Sequence, residues 1–306
     1  MSNSLAIIGA PSSAGAYAPG QEKAPAALRL AGLGKELSAH GVRVDDRGDV
    51  SGFRWRADRA NPRAMNVDVA AQVAVDTANR VAGALAGEDS VLVLGGDCTI
   101  ELGTVSGALV DTDSVGLIYV DLDTDLNTPD STDDGALDWM GVAHMLAIEG
   151  AMPALANIGP RTPLLGPDQI LFFANGNSKP FERRIIEERQ ISEVNLEQVS
   201  ADPAGAAFSV VNAWASRFER LLIHLDVDVL DYLDMPLAEN TRRNIGLHFD
   251  QLIAALDQLL SAPNWVALTV SEVNPDHAER DGSTLAAFAK ALAAAISMSP
   301  RLKNNL

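Results

Sequence analysis

The chain has 306 residues, 47% of them hydrophobic, which is enough for one large α/β domain or two small ones. Its net charge of −18 argues against DNA, RNA and anionic membrane surfaces as partners, and leaves cations and metals open. The single cysteine, Cys98, excludes an internal disulfide and suits a reducing cytoplasm.

The first apolar run, Leu5–Ile8, has no basic flank and predicts a strand rather than a signal peptide. Val42–Val44 is a weaker strand candidate, and Val67–Leu85 has the apolar spacing of a helix. Val91–Leu94, Val115–Val120 and Ile170–Phe173 are strand-like. The helix Phe181–Arg189, the weak strand Ile191–Val194 and the helix Ala204–Phe218 follow. The strand Leu221–Leu225, the helix Phe249–Leu260, the strand Val266–Val270 and the Ala-rich helix Ser283–Ile296 complete the series. No apolar run approaches the length of a membrane span. Strands apolar on both faces and alternating with helices predict a parallel sheet covered on both sides. About eight strands fit a doubly wound sheet or a closed barrel, and both place ligands at the strand C-termini. No linker, repeat or low-complexity segment divides the chain.

Carboxylates gather at those strand ends. Asp121, Asp123 and Asp125 alternate directly after Val115–Val120, and Asp226 and Asp228 follow Leu221–Leu225. In an extended chain such residues share one side, where like charges repel unless a cation offsets them. One cluster alone is as readily a solvated strand cap; two, each behind a buried-type strand, point to a metal site. Gly95-Gly96-Asp97-Cys98-Thr99 follows Val91–Leu94 and opens a helix, so Cys98 is either a ligand or reactive thiolate, or an inert buried thiol. Ser271-Glu272-Val273-Asn274-Pro275 places a further carboxylate at a strand end. The polar stretch Asp125–Trp139 is a candidate substrate loop.

On these motifs the chain resembles the ureohydrolases, which include arginase, agmatinase and formiminoglutamase. The resemblance covers most of the chain. It rests on Gly95-Gly96-Asp97, Asp121-x-x-x-Asp125-x-Asn127-Thr128-Pro129, Asp226-x-Asp228-x-x-Asp231 and Glu272-Val273-Asn274-Pro275. It implies a single arginase-like domain over 1–306, three-layer α/β/α with a central parallel sheet of about eight strands. It also implies hydrolysis of a guanidinium or amidine carbon by water activated on two Mn²⁺ ions. Matched residue by residue, Asp121 and Asp226 bridge the metals, Asp125 is a ligand of the first and Asp228 of the second. Glu272 orients the substrate guanidinium, and Asn127 and Thr132 contact its tail.

The departures from the family pattern bear on the same site. Cys98 stands where the family has a histidine of the first metal, Asp123 where it has a histidine of the second, and Asp138 where it has a proton-shuttling histidine. Asp134 replaces a tail-binding serine, and Lys179 falls where an aspartate holds an α-amino group, which makes arginine itself a poor candidate substrate. Both metal-site replacements can reach an ion, since the longer metal–sulfur bond, ~2.3 Å against ~2.0–2.1 Å to nitrogen, offsets the shorter side chain. The expected cofactor is one or two divalent ions, Mn²⁺ first, with the thiolate pulling the first site toward Zn²⁺ or Fe²⁺. His224, two residues before Asp226, belongs on the same strand face as a substitute ligand or a supporting partner; His144 and His277 are alternative proton carriers or packing residues.

The leading expectation is therefore a cytoplasmic, homo-oligomeric, metal-dependent hydrolase of a guanidino or amidino small molecule, with no nucleic acid or membrane as partner. Two alternatives stand beside it: an inactive family relative serving as a regulatory or oligomerisation subunit, and a one-metal deacylase on the same scaffold.

Overall fold

The structure, a computed structural model, describes residues 4–241 and 245–303. Eight strands form one sheet: β1 Leu5–Gly9, β2 Val44–Asp49, β3 Ser90–Leu94, β4 Val115–Val120, β5 Ile170–Asn175, β6 Ser192–Asn195, β7 Arg220–Asp226 and β8 Trp265–Ser271. All pair in parallel, in the order β2-β1-β3-β8-β7-β4-β5-β6. The sheet is therefore open, with β2 and β6 as its edges, and the barrel alternative falls away.

Alternate residues of each strand feed two separate cores, as the two-residue period of a strand requires. Leu5, Ile7, Leu92, Leu94, Ile118, Val120 and Ile223 join the core covered by the helices Ala24–Leu30, Leu33–Ala39, Pro203–Trp214, Phe249–Leu259 and Ser283–Ser297. Ala6, Ile8, Val91, Val93, Leu117, Tyr119 and Leu222 join the other, covered by Val67–Ala86, Ile100–Ala108 and Gly141–Met145. This is the three-layer α/β/α arrangement expected.

Two element boundaries differ by more than two residues from the sequence reading. The helix expected to reach Phe218 ends at Trp214. Phe218 instead lies over the sheet in the space that the missing side chain of Gly116 leaves; a Cβ there would meet its ring at 2.4 Å. The second strand is Val44–Asp49 rather than Val42–Val44, because an edge strand is half-solvated and tolerates the polar run Asp45-Asp46-Arg47.

The sheet order sets the site. The four central strands β3, β8, β7 and β4 are neighbours, and each of the four chemistry-bearing segments follows one of them. Leu94 pairs with Val270, Asp226 with Ser271, and Val120 with Leu225. All four strands thus end at one level, and segments far apart in sequence meet at the carboxyl edge.

Candidate metal-dependent active site

Each segment is held in place by its own backbone. Gly96 passes so close to the Ser12 carbonyl that a Cβ would stand 1.7 Å from its oxygen. The Asp97 amide donates to that same carbonyl at 3.0 Å, which fixes where Cys98 leaves the strand. Asp97, wholly buried, accepts from the Gly15 and Thr99 amides, both at 3.0 Å. Asp121 Oδ1 accepts from the Asp123 amide at 2.7 Å, and Asp226 Oδ1 from the Asp228 amide at 2.8 Å, so the two acidic turns have the same local build. Asp125 and Glu272 are non-glycine residues at φ 50° and 62°. Such strain gathers where surrounding structure over-determines the backbone, commonly at functional sites.

These segments line a cavity of about 320 Å³. Of the residues singled out from sequence, Cys98, Asp123, Asp125, Asp134, Asp138, Asp226, Asp228 and Glu272 face it. Asp121 lies beneath, buried, grouped with Cys98, His224 and Asp226 on one side and with Asp123 and Asp228 on the other; within each group the ligand atoms lie within 4.8 Å of one another. Asn127, Thr132 and Lys179 do not line it. Asn127 is buried and committed to Glu182, Ser131 and Lys179, at 3.2, 3.2 and 3.4 Å. Thr132 donates to Asp134 at 2.8 Å. The Lys179 ammonium sits over the Trp139 ring, 4.2 Å from its centroid.

The wall also contains Tyr17, Trp139, Glu239 and Asn240, none of them singled out from sequence. Tyr17 donates to the Glu239 carbonyl at 3.3 Å, and Glu239 takes the Asn274 side-chain amide. Only the Asn274 motif carried a local signal; the others arrive by tertiary contact. Glu182, also unforeseen, closes the base of the loop by accepting from Thr124 at 3.0 Å and from the Lys179 amide at 2.7 Å.

The electrostatics are one-sided. Among the described residues no Lys or Arg lines the cavity. Burial, with Asp226 and Asp125 as neighbours, holds the Asp121 carboxyl well above the usual range. Burial and Asp228 do the same to Asp226, and burial and Asp138 to Glu272. Burial and Asp226 push the Cys98 thiol up as well, and the thiol donates to Asp226 Oδ2 at 2.9 Å. Desolvation and Asp97 hold Asp138 well above its ordinary value. Among the described residues Asp121 Oδ2 is buried with no hydrogen-bond partner. An uncompensated buried carboxylate costs several kcal/mol, so an orphaned oxygen among packed anions is what a divalent cation would satisfy. The residues present fit a metal.

The fold and the strand-end cluster together define an α/β/α scaffold with a candidate metal centre at its carboxyl edge, and sequence comparison narrows the class. The family model described as "Arginase family" matches residues 3–297. The chain is 31% identical over 282 residues to arginase-1 of Rattus norvegicus, covering 89% of this chain and 84% of that protein. It is 26% identical over 294 residues to the arginase of Bacillus subtilis, covering 95% and 98%. The structure of the arginase from Bacillus caldovelox superposes with a TM-score of 0.83 at 24% identity, covering 99% of both chains, a likeness of fold. The chain belongs to the arginase family, whose members are ureohydrolase-type hydrolases.

Proposed function

We propose that the chain is a divalent-metal-dependent hydrolase of a C–N bond in a guanidino or amidino compound. One observation carries this: four segments separated in sequence bring the thiol of Cys98 and the carboxyl groups of Asp121, Asp226 and Glu272 together, buried, at adjacent strand ends around one cavity. Cys98, Asp121, Asp123, Asp125, Asp226 and Asp228 are the candidate metal ligands. One or two ions bound there, Mn²⁺ or, with the thiolate, Zn²⁺ or Fe²⁺, would activate water and offset the charge that builds up at the attacked carbon.

The chain's own residues supply the rest. Glu272 accepts from the Cys98 amide at 3.0 Å and from the Gln21 side chain at 3.1 Å, which fixes its carboxylate at the cavity wall. A planar guanidinium or amidinium is the cation such a fixed carboxylate recognises. Asp138 accepts from the Trp139 amide on Oδ1 at 3.0 Å, leaving Oδ2 to carry a proton to the departing nitrogen. Its raised pKa suits that role, which falls to histidine in most enzymes. Tyr17 and Trp139 present flat aromatic faces to a planar substrate. Asp134, Glu239 and Asn240 are the polar groups left for the rest of the molecule. Acidic side chains there favour a second positive charge over a free carboxylate, which again disfavours arginine.

We place the enzyme in the cytoplasm and expect a homo-oligomer. Among the described residues no helix is long and apolar enough to cross a membrane. The test is a screen of guanidino and amidino compounds against chelator-treated protein reloaded with Mn²⁺ or Zn²⁺, reading urea, ammonia and, from amidines, the released amide. Metal-dependent release from at least one cationic substrate is expected. Metal-loaded protein that releases none of these across the screen would instead favour the inactive relative.

A further inference from the structure

We propose that the first metal of this chain is held by Cys98, Asp121, His224 and Asp226, with Glu101 positioning His224, as a four-ligand site for Zn²⁺ or a similar tetrahedral ion. The inference rests on the metal-dependent reading above and changes its ligand set. His224 enters, and Asp125, the ligand that family resemblance implies, is left out.

The geometry at Asp125 comes first. Its Oδ2 accepts from the Tyr119 hydroxyl at 2.5 Å, and it does not join the ligand atoms gathered around Asp121. Tyr119 stands on β4 beside His224 on β7, and their rings stack at 4.1 Å with 15° between planes. One tyrosine thus takes Asp125 with its hydroxyl and braces the imidazole with its ring.

His224 is completely buried, two residues before Asp226 and on the same strand face. Its Nε2 lies 3.4 Å from Cys98 Sγ and 3.3 Å from the Ser271 hydroxyl. Its Nδ1 points the other way, 3.4 Å from Glu101 Oε2. Glu101 is also completely buried, and neither of its carboxyl oxygens makes a hydrogen bond among the described residues. A buried carboxylate behind an imidazole whose far nitrogen faces a thiol and two carboxylates is the outer-shell arrangement of a metal-ligating histidine. Beside the same group, Asp121 Oδ2 is buried with no hydrogen-bond partner among the described residues.

One edge of the group has the spacing of such an ion, while the Cys98–Asp226 pair, hydrogen-bonded at 2.9 Å, is shorter than a tetrahedral edge. Tetrahedral bonds of ~2.3 Å to sulfur and ~2.0–2.1 Å to nitrogen separate the two ligand atoms by about 3.5 Å. The Cys98–His224 separation of 3.4 Å matches that edge. A thiolate, a neutral imidazole and two carboxylates also form a softer donor set than the all-oxygen set Asp121, Asp123 and Asp228 next to it. The two halves of the cluster are therefore chemically unlike, and the softer half selects the softer ion.

Cobalt reports the site directly. The metal-free full-length protein is titrated with Co²⁺ and then with competing Zn²⁺, following the thiolate-to-cobalt charge-transfer band and the d–d bands of tetrahedral Co²⁺. Metal-dependent urea and ammonia release with Mn²⁺ is measured separately. The wild type is expected to show both bands. His224→Phe, which keeps a ring on Tyr119, should lose the tetrahedral d–d intensity and weaken Zn²⁺ binding. Glu101→Gln, equal in shape, should keep the charge-transfer band but weaken Zn²⁺ on the order of tenfold or more. Asp125→Asn should keep both bands, and Cys98→Ser should lose the charge-transfer band. If Asp125→Asn abolishes the bands while His224→Phe and Glu101→Gln leave them and the Zn²⁺ affinity unchanged, the ligand set is the family one and the inference fails. That failure with Mn²⁺-dependent release intact leaves the hydrolase reading standing; a protein that binds none of these ions sinks both. If His224→Phe does not fold, Glu101→Gln decides: unchanged Zn²⁺ affinity overturns the proposal.

Discussion

Tyr119 and His224 occupy paired positions on β4 and β7 and stack face to face, with ring centroids 4.1 Å apart. The pair ties the two central strands that carry Asp121 and Asp226, directly below the site. The Tyr119 hydroxyl also reaches Asp125 at 2.5 Å, so one side chain links the sheet core to the start of the substrate loop.

Replacing Tyr119 by Phe keeps the stack and deletes only that hydrogen bond, leaving a buried Asp125 oxygen unpaired. A loss of about 1–3 kcal/mol is expected, the cost of one unsatisfied buried group. Urea denaturation of the metal-free protein measures it, with the midpoint moving and the slope held. An unchanged midpoint would show that water or another donor replaces the hydroxyl.

Glu272→Gln preserves the acceptor for the Cys98 amide and removes the charge that faces the cavity. Removing one partner of a desolvated charge pair costs about 2–5 kcal/mol. On an active guanidino or amidino substrate, kcat/KM should therefore fall by about thirtyfold to several thousandfold. Metal content, read by elemental analysis, should not change.

Asp138→Asn removes the proton carrier while keeping its shape and leaving an oxygen to accept from the Trp139 amide. General acid–base assistance contributes about 10²–10⁴-fold, so kcat should drop by that order with KM little altered. The limb of the pH–rate profile assigned to Asp138 should vanish. A variant that keeps the full profile would transfer the role to another group.

His144 gives a stability prediction independent of the metal. Burial lowers its pKa to about 4 from the ordinary 6.5, and its Nδ1 lies 2.6 Å from the Met140 carbonyl, which it faces as a neutral ring donor. The unfolded chain binds this proton near pH 6.5 and the folded chain only near 4. Stability from this residue is therefore full above about 6.5 and is lost as pH falls toward 4, by on the order of 3 kcal/mol. His144→Gln should flatten that part of the acid-unfolding curve, read by circular dichroism between those pH values.

The strand ends were legible because apolar runs broke directly into carboxylates, and that signal is local. Cys98, Asp123, Asp125, Asp226, Asp228 and Glu272 all face the cavity that such a pattern implies, and so does Asp138, which only the family resemblance pointed to. The tail contacts were less legible. Asn127 and Lys179 sit in the expected segments, but Glu182 draws Asn127 into the loop base and the Trp139 ring holds Lys179. Tyr17, Glu239 and Asn240 carry no local mark, since contacts between distant segments bring them to the wall. Glu101 could have been found: it lies three residues after Cys98 at the start of a helix, one turn on, and so on the same face. What sequence could not give is that the helix after β3 packs over the sheet face where Glu101 meets His224 of β7, a strand not adjacent to β3.

The central claim is that the strand-end carboxylates and Cys98 hold a divalent ion. Elemental analysis of the full-length protein, purified without chelator or added metal, tests it most directly, with Asp121→Asn as the control. The account predicts near-stoichiometric Mn, Zn or Fe in the wild type and loss of most of it in the variant, since Asp121 belongs to both ligand groups. Wild-type protein that carries no such metal, and takes up none when Mn²⁺ or Zn²⁺ is supplied, would contradict it.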